Sequence, residues 1–475
     1  MKHLIGFALF SAFSVFLLTS EVPAIGVDYS GYFRTRANYD YNLDLNRSKI
    51  PEIRSFTDFR FRLDPTFYIT DKIRIHGSLN FMDGVMGDSA FRGVPYSNPA
   101  RSNDPYFNDA ADGPVGKTID PADMSSWVYG GATAPDAAVR TSDVVPLQVR
   151  RAWVEADFDL GTFKAGRMPY NFGLGILGNS GDDINQEIGS TRDRIVFESG
   201  LGSYYLTPGI GWLREGDIYT SADDTYEYFF MLGRKTETQH IALYLSYLAQ
   251  DSARDTATNG TNLVDSETSY WIMDFFAQNK FGLIDLSAEV ALFAGTYLNY
   301  DLLAVNAVGR GDLQLNKFHF LSELGFSSGT SDGDIATGDI KTYAFNRDYN
   351  VSYIVFEEAL PAARTLEGDG LAVAPHAGAI SNAVYGRVNL GYDVASYFHP
   401  SLNVIMPYAP KKLAGAGGNL YGVEYDVITM WPIDEYISAE ITFAHFIPGS
   451  FYDNPSLELE AQSAIMLRGG MYIKF

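Results

Sequence analysis

The sequence predicts an all-β chain closed into a transmembrane antiparallel β-barrel of about 18 strands, with 16 as the alternative count. Three observations predict it together: an apolar N-terminal leader, a strongly alternating last segment that ends on Phe475, and a marked asymmetry between short turns and long loops. Alternation alone does not choose. A strand of a soluble sheet buries its apolar face in a core, whereas in a membrane barrel that face meets lipid and the polar face lines the lumen. The soluble alternatives are a secreted β-sandwich and a β-solenoid. No fixed repeat of about 20–50 residues supports the latter.

Composition narrows the function classes. Of 475 residues, 14% are aromatic and 20% charged, with 45 glycines and no cysteine. Disulfide frameworks, thiolate metal sites and cysteine nucleophiles are therefore excluded. Lys and Arg number 35 against 58 Asp and Glu, a net charge of −23. A nucleic-acid partner needs a basic face, so none is expected, and the acidic balance opposes docking on anionic lipid by charge alone. Mean hydropathy is too polar for a bundle of membrane helices, and the aromatic content too high for disorder.

The elements follow in order. Lys2 and His3 precede an apolar run over residues 4–18, and Val22-Pro23-Ala24 places small residues at the −3 and −1 positions of a cleavage site. Residues 1–24 read as a signal peptide and 25–475 as a single barrel domain. The run is about 15 residues, short for a membrane helix, and no later one reaches about 18. A membrane position must then come from strands. The first covers 27–41, with Val27, Tyr29, Phe33 and Ala37 facing out and Arg34 and Arg36 facing in. The next two, 54–69 and 73–83, carry one apolar face (Phe59, Phe61, Leu63, Phe67, Ile69, then Ile73, Ile75, Leu79, Phe81) across the turn Thr70-Asp71-Lys72. Strands at 146–160 and 162–170 meet at Leu160-Gly161-Thr162. Further strands are expected at 192–200, 203–213, 226–234, 239–250, 268–279, 283–297, 303–315 and 318–328, with turns at 279–282 and Asn316-Lys317. The weak pattern over 192–213 is the source of the 16-strand alternative. The last five are 382–394, 401–410, 420–430, 436–446 and 464–475, with turns at 395–400 and 431–435. In the final one Leu467, Met471, Ile473 and Phe475 share one face, and Met466, Arg468, Tyr472 and Lys474 the other. An even count puts both ends on the periplasmic side and leaves the β-like piece 351–358 in a loop. Eighteen spans of about 10 residues need about 180. Of 475 residues the leader takes 24, and the surplus fits long external loops near 84–145 and 329–381.

Val149-Arg150-Arg151-Ala152-Trp153-Val154-Glu155, leading into Gly161-Thr162-Phe163-Lys164-Ala165-Gly166-Arg167, is a strand–turn–strand unit common in porins. Residues 382–393, Tyr421-Gly422-Val423-Glu424-Tyr425-Asp426 and Phe446-Ile447-Pro448-Gly449 look like final hairpins and a final external loop. In these pieces the chain resembles the large outer-membrane porins of the alginate-export type. The layout matches over most of the chain and the motifs mainly over 146–170 and 382–475; the loop near 84–145 has no counterpart. The resemblance implies a bacterial outer-membrane location, a single barrel passing polar solute such as an anionic saccharide, and a terminal Phe475 read by the barrel-assembly machinery as its assembly signal.

An 18-stranded barrel leaves an aqueous lumen, so chemistry belongs to the residues facing it. Arg34, Arg36, Arg60, Arg62, Arg74, Arg151 and, across the closure, Arg468 make a basic, substrate-binding wall, with His76 beside Arg74. Asp285, Glu289, Glu323, Glu424, Asp426 and Glu440 make an acidic one opposite. Such a ladder attracts anions, and the opposing acids set a transverse field; guanidinium also forks carboxylate, which suits uronates or organic acids. The plainer reading is that neighbouring charges satisfy each other, with Glu155 and Asp157 beside Arg151 as the local case. Arg167 points outward by alternation unless Met168-Pro169 forms a bulge. The loop near 84–145 either constricts the pore or caps it. The run 351–356 is too apolar to stand in water and is expected to pack on the inner wall or mouth and narrow the pore. Asp332, Asp334 and Asp339 read as a solvated acidic loop, with Ca²⁺ the alternative. Tyr397, Phe398, Trp431 and Tyr436 suit an interface girdle. The seven histidines are scattered, with no H-E-x-x-H, G-x-S-x-G or Walker loop. A non-enzymatic, passive channel for small or oligomeric polar solutes, anionic or carbohydrate, is expected, embedded in outer-membrane lipid and without cofactor or metal. The alternatives are a surface-binding or structural barrel with a plugged lumen, and an outer-membrane hydrolase.

Overall fold

In a computed structural model the described residues are 26–43, 45, 53–85, 147–214, 225–256, 263–297, 299–358, 360, 379–413, 415–453, 455 and 460–475. The expectations for the leader at 1–24 and for nearly all of the loop near 84–145 lie outside them.

The wall is built from β1 (Gly26–Tyr41), β2 (Ile53–Thr70), β3 (Ile73–Val85), β4 (Leu147–Phe158), β5 (Gly161–Pro169), β6 (Thr191–Leu201), β7 (Tyr204–Arg214), β8 (Thr225–Lys235), β9 (Gln239–Thr256), β10 (Leu263–Phe281), β11 (Ile284–Tyr297), β12 (Tyr300–Leu315) and β13 (Phe318–Ser327). It continues through β15 (Ala383–Tyr392), β16 (His399–Tyr408), β17 (Gly422–Pro432), β18 (Ile437–Pro448) and β19 (Ala464–Lys474). Between β13 and β15 the chain forms a short helix, α1 (Asp332–Thr337), and the two-residue β14 (Asp339–Ile340), which runs parallel to β12. Consecutive wall strands pair antiparallel, and β19 returns to β1 in register from Tyr32↔Lys474 to Tyr41↔Ile465. The wall is thus a closed 18-stranded barrel, and the even count stands. Closure leaves no strand edge without a partner, the condition for crossing hydrocarbon.

Alternation divides the two faces. On β11, Leu286, Val290 and Leu292 are exposed outward while Ser287, Glu289, Ala291 and Phe293 are buried inward. An apolar exposed face is stable only where lipid replaces water, so the wall is that of a membrane-spanning barrel. The short ends need backbone that turns sharply. Gly282 and Asn316 take φ of 61° and 55° in the turns after β10 and β12, the left-handed region that glycine and asparagine tolerate. At the same rim Phe398 stacks on Trp431 at 5.6 Å, and Tyr397 and Tyr436 are exposed, as a girdle requires.

The interior is less open than a polar-lined tube. Two segments fold inward from the wall: 170–190, between β5 and β6, and 339–358, between β13 and β15. Their apolar side chains, including Tyr170, Phe172, Ile176, Phe345, Val351, Ile354, Val355 and Phe356, pack with inward wall residues such as Tyr244, Phe293 and Phe446 into one buried cluster. Each such side chain contributes about 1.5–3 kcal/mol when fully buried. The run 351–356 thus lies inside the barrel and not bare in water.

Candidate functional site

The basic wall takes its position from the β1–β2 register. Arg34 pairs with Arg60 and Tyr32 with Arg62, so the Arg-x-Arg runs of two neighbouring strands point into one patch of lumen. All four guanidiniums are buried. What covers them is the stretch 180–188. Arg34 donates to the Ile184 carbonyl (2.7 Å), Arg60 to the carbonyls of Gln186 (3.0 Å) and Glu187 (3.1 Å), and Arg62 to that of Gly181 (2.8 Å). Arg151 pairs with Asp182 (2.6 Å) and donates to the Ser180 carbonyl; Arg150 donates to that of Ile188.

The Glu187 carboxylate stands at the centre. It lies 2.6 Å from Arg36, 2.9 Å from Arg34 and 3.3 Å from Arg60. Burial works against its charged form, but Arg34, Arg36 and Arg60 outweigh this and hold the carboxyl well below the usual range. The wall supplies two more carboxylates: Asp58 at 3.0 Å from Arg36 and Asp83 at 2.8 Å from Arg60.

Buried carboxylates tie the inward segments down. Asp348 accepts from the backbone N–H groups of Glu187 (2.9 Å), Ile188 (3.1 Å) and Gly189, linking one segment to the other. Glu424 accepts from those of Tyr353 (2.8 Å), Ile354 (2.8 Å) and Val355 (2.6 Å). Glu289 accepts from Leu174 and from Gly175 (3.1 Å). Asn403 donates to the Val351 carbonyl (3.0 Å) and to Asp426 (2.8 Å). Burial, with Asp348 and Glu358 beside it, pushes the Glu357 carboxyl well up.

The remaining expected residues lie apart from this centre. Arg74 sits near the short-turn rim with Glu155 (3.2 Å) and Asp157 (3.0 Å). This corrects the expectation that those two acids serve Arg151, whose partner is Asp182: the β3–β4 pairing shifts register at Ser78/Leu79, and Arg150 and Arg151 both turn inward. Arg468 donates to Asn38 (2.7 Å) and lies over the Tyr353 ring at 5.6 Å. Glu323 accepts from Tyr385 (2.7 Å), Glu440 from Thr442 (3.0 Å) and Asp285 from Gln278 (2.9 Å). Arg167 faces outward as alternation requires, with Met168 buried beside it, and forks Asp193 at 2.7 and 2.8 Å. Asp334 caps α1 through Ser331 and pairs with Lys341 (2.6 Å), while Asp339 accepts from Thr337 (2.9 Å).

A second basic cluster was missed. Arg192 and Arg194 meet the fully buried Glu227 at 2.5 and 2.7 Å, and both lie 4.3 Å from the Tyr170 ring centre. Their signal was available, since 192–194 repeats the Arg-x-Arg spacing of β1 and β2. Glu187 carries no such signal: 171–190 has neither period, and its partners lie far away in the sequence.

No protein-family model matches the chain, and no curated protein matches it. Solved structures of outer-membrane barrels do. OccAB4 of Acinetobacter baumannii is 12% identical, covers 94% of this chain and 98% of its own, and superposes with a TM-score of 0.52. OccK11 (OpdR) of Pseudomonas aeruginosa is 10% identical, with coverages of 94% and 96% and a TM-score of 0.50. These likenesses show a porin-like barrel fold; they do not single out the alginate-export type.

Proposed function

We propose that this chain is a passive outer-membrane channel for small polar solutes, with a preference for those bearing a carboxylate. The observation that carries the reading is the line of guanidiniums along one side of the lumen. It runs from Arg54 beside Asp40 (3.3 Å) at the long-loop end, through Arg36, Arg34, Arg60 and Arg62, to Arg74 at the short-turn end. A basic wall lowers the cost of an anion leaving bulk water, and Arg54 and Arg74, the less buried ends of the line, are where an anion meets it first. The inward segments narrow the lumen, which favours small anions over the uronate oligomers that the alginate-export resemblance implies. A secretory leader at 1–24 and recognition of Phe475 by the assembly machinery complete the reading.

One observation favours a plugged, surface-binding barrel: the buried cluster that 170–190 and 339–358 form across the interior. Single-channel current in a planar bilayer under a salt gradient decides between the two. We expect steady conductance with a reversal potential on the anion side. Cation preference would overturn the carboxylate choice. Folded protein that does not conduct would favour the plugged barrel.

A further inference from the structure

The segment that carries Glu187 is a discrete lobe. Gly181 and Gly189 close its base, both at φ of 68°, and a Cβ on Gly181 would come within 2.2 Å of the Gly189 Cα. Between them, Ile184 is the one side chain in the buried apolar clusters, and it sits with Tyr32 and Tyr472. Asp182, by contrast, keeps 58% of its side chain exposed. The lobe is held chiefly by polar contacts, to the arginines on one side and Asp348 on the other. Elements held this way sit at the low-stability end of a structure and open locally.

The charges that meet at Glu187 do not balance without it. Arg34, Arg36 and Arg60 bring three positive charges, and the wall answers with two carboxylates, Asp58 and Asp83. Glu187 is the third, and it comes from the lobe. We infer that Arg34, Arg36 and Arg60 form a carboxylate-binding site in which Glu187 is a tethered competitor, so that a carboxylate solute binds by displacing the 181–189 lobe. The inference rests on the channel reading for the source of that solute. Its logic is one of competition. A carboxylate on a short tether acts at an effective concentration in the millimolar range, so a free carboxylate must exceed this or bind better to take its place. A solute that wins takes over the Arg34, Arg36 and Arg60 contacts to Glu187 and so removes three of the lobe's ion pairs to the wall. Site filling and lobe opening are then one event.

The test uses the full chain refolded in detergent, with benzoate as the probe. Equilibrium dialysis reads binding, and hydrogen exchange reads the amides of Glu187, Ile188 and Gly189, which are bonded to Asp348. We expect Glu187→Gln to bind benzoate about tenfold more tightly than wild type, the competitor having lost its charge. In wild type, saturating benzoate should speed exchange at those three amides. The second measurement needs no variant and stands if Glu187→Gln misfolds. Equal affinity in the two proteins, benzoate bound without faster exchange, or no binding to either, each overturns the inference. Neither readout requires conduction. A barrel that binds benzoate in this way yet passes no current keeps the inference and loses the channel, and a conducting barrel with unchanged benzoate binding does the reverse.

Discussion

At the scale of the residue, charge does its work through a few buried pairs. Glu187 gives a pH prediction with a definite sign. Its folded carboxyl is held well below the ordinary 4.5, with burial opposing and Arg34, Arg36 and Arg60 prevailing. A group lowered on folding contributes stability that is present above its unfolded value and lost as pH falls through its folded one. We therefore expect the thermal midpoint of wild type to exceed that of Glu187→Gln by a constant margin from pH 7 down to about 4.5, the margin closing only in stronger acid. A margin that closes between pH 7 and 5 contradicts the three-arginine cradle. Glu227 makes a different point. Its carboxylate is fully buried and satisfied by Arg192, Arg194, Tyr244 and Ser246. Glu227→Leu leaves both Arg192 and Arg194 without their counter-charge, and an uncompensated buried charge costs about 3–5 kcal/mol. Denaturant titration of the folded barrel reads that loss, and the double change Arg192→Leu with Glu227→Leu should recover part of it.

Elements show where the sequence is legible. All eighteen wall strands, their order and nearly all their ends can be read from period-2 alternation and turn residues, because lipid on one side and water or packing on the other enforce the pattern at every second residue. The weak stretch 192–213 still forms β6 and β7. The inward direction of every arginine in the expected wall follows from the same rule. What covers them does not. Neither period marks 171–190, and its shape is set by contacts with β1, β2, β4 and β11, which no local pattern encodes. The run 351–356 lies between the two cases: its apolarity says that it must be covered, while only the β16–β17 wall, through Asn403 and Glu424, says by what. From this follows a prediction for the element. Ile354→Asp places a charge against the apolar cluster beside Glu424 and removes about 1.5–3 kcal/mol of burial. The inward segment should then release from the wall while the barrel persists. Single-channel conductance should rise, and limited proteolysis should cut within 339–358. Unchanged conductance would mean that this segment does not narrow the path.

At the scale of the molecule, the net charge of −23 and the basic wall pull in opposite directions, and selectivity is decided by which one a permeating ion meets at close range. The arginines of β1 and β2 point inward beneath the stretch 180–188, whereas much of the acidic excess lies elsewhere on the chain. Screening separates the two contributions: the Debye length falls from about 10 Å at 0.1 M salt to about 3 Å at 1 M. If the preference for anions arises from the field of the wall, it should be strong at 0.1 M and much reduced at 1 M. The same field depends on Arg60 and Arg62. The double change Arg60→Ala with Arg62→Ala deprives Asp83 of its partner and Glu187 of one of three, so the patch turns net negative. Its reversal potential at 0.1 M salt should move from the anion side towards the cation side. A potential that responds neither to salt nor to this change would place the selective charge outside the β1–β2 wall.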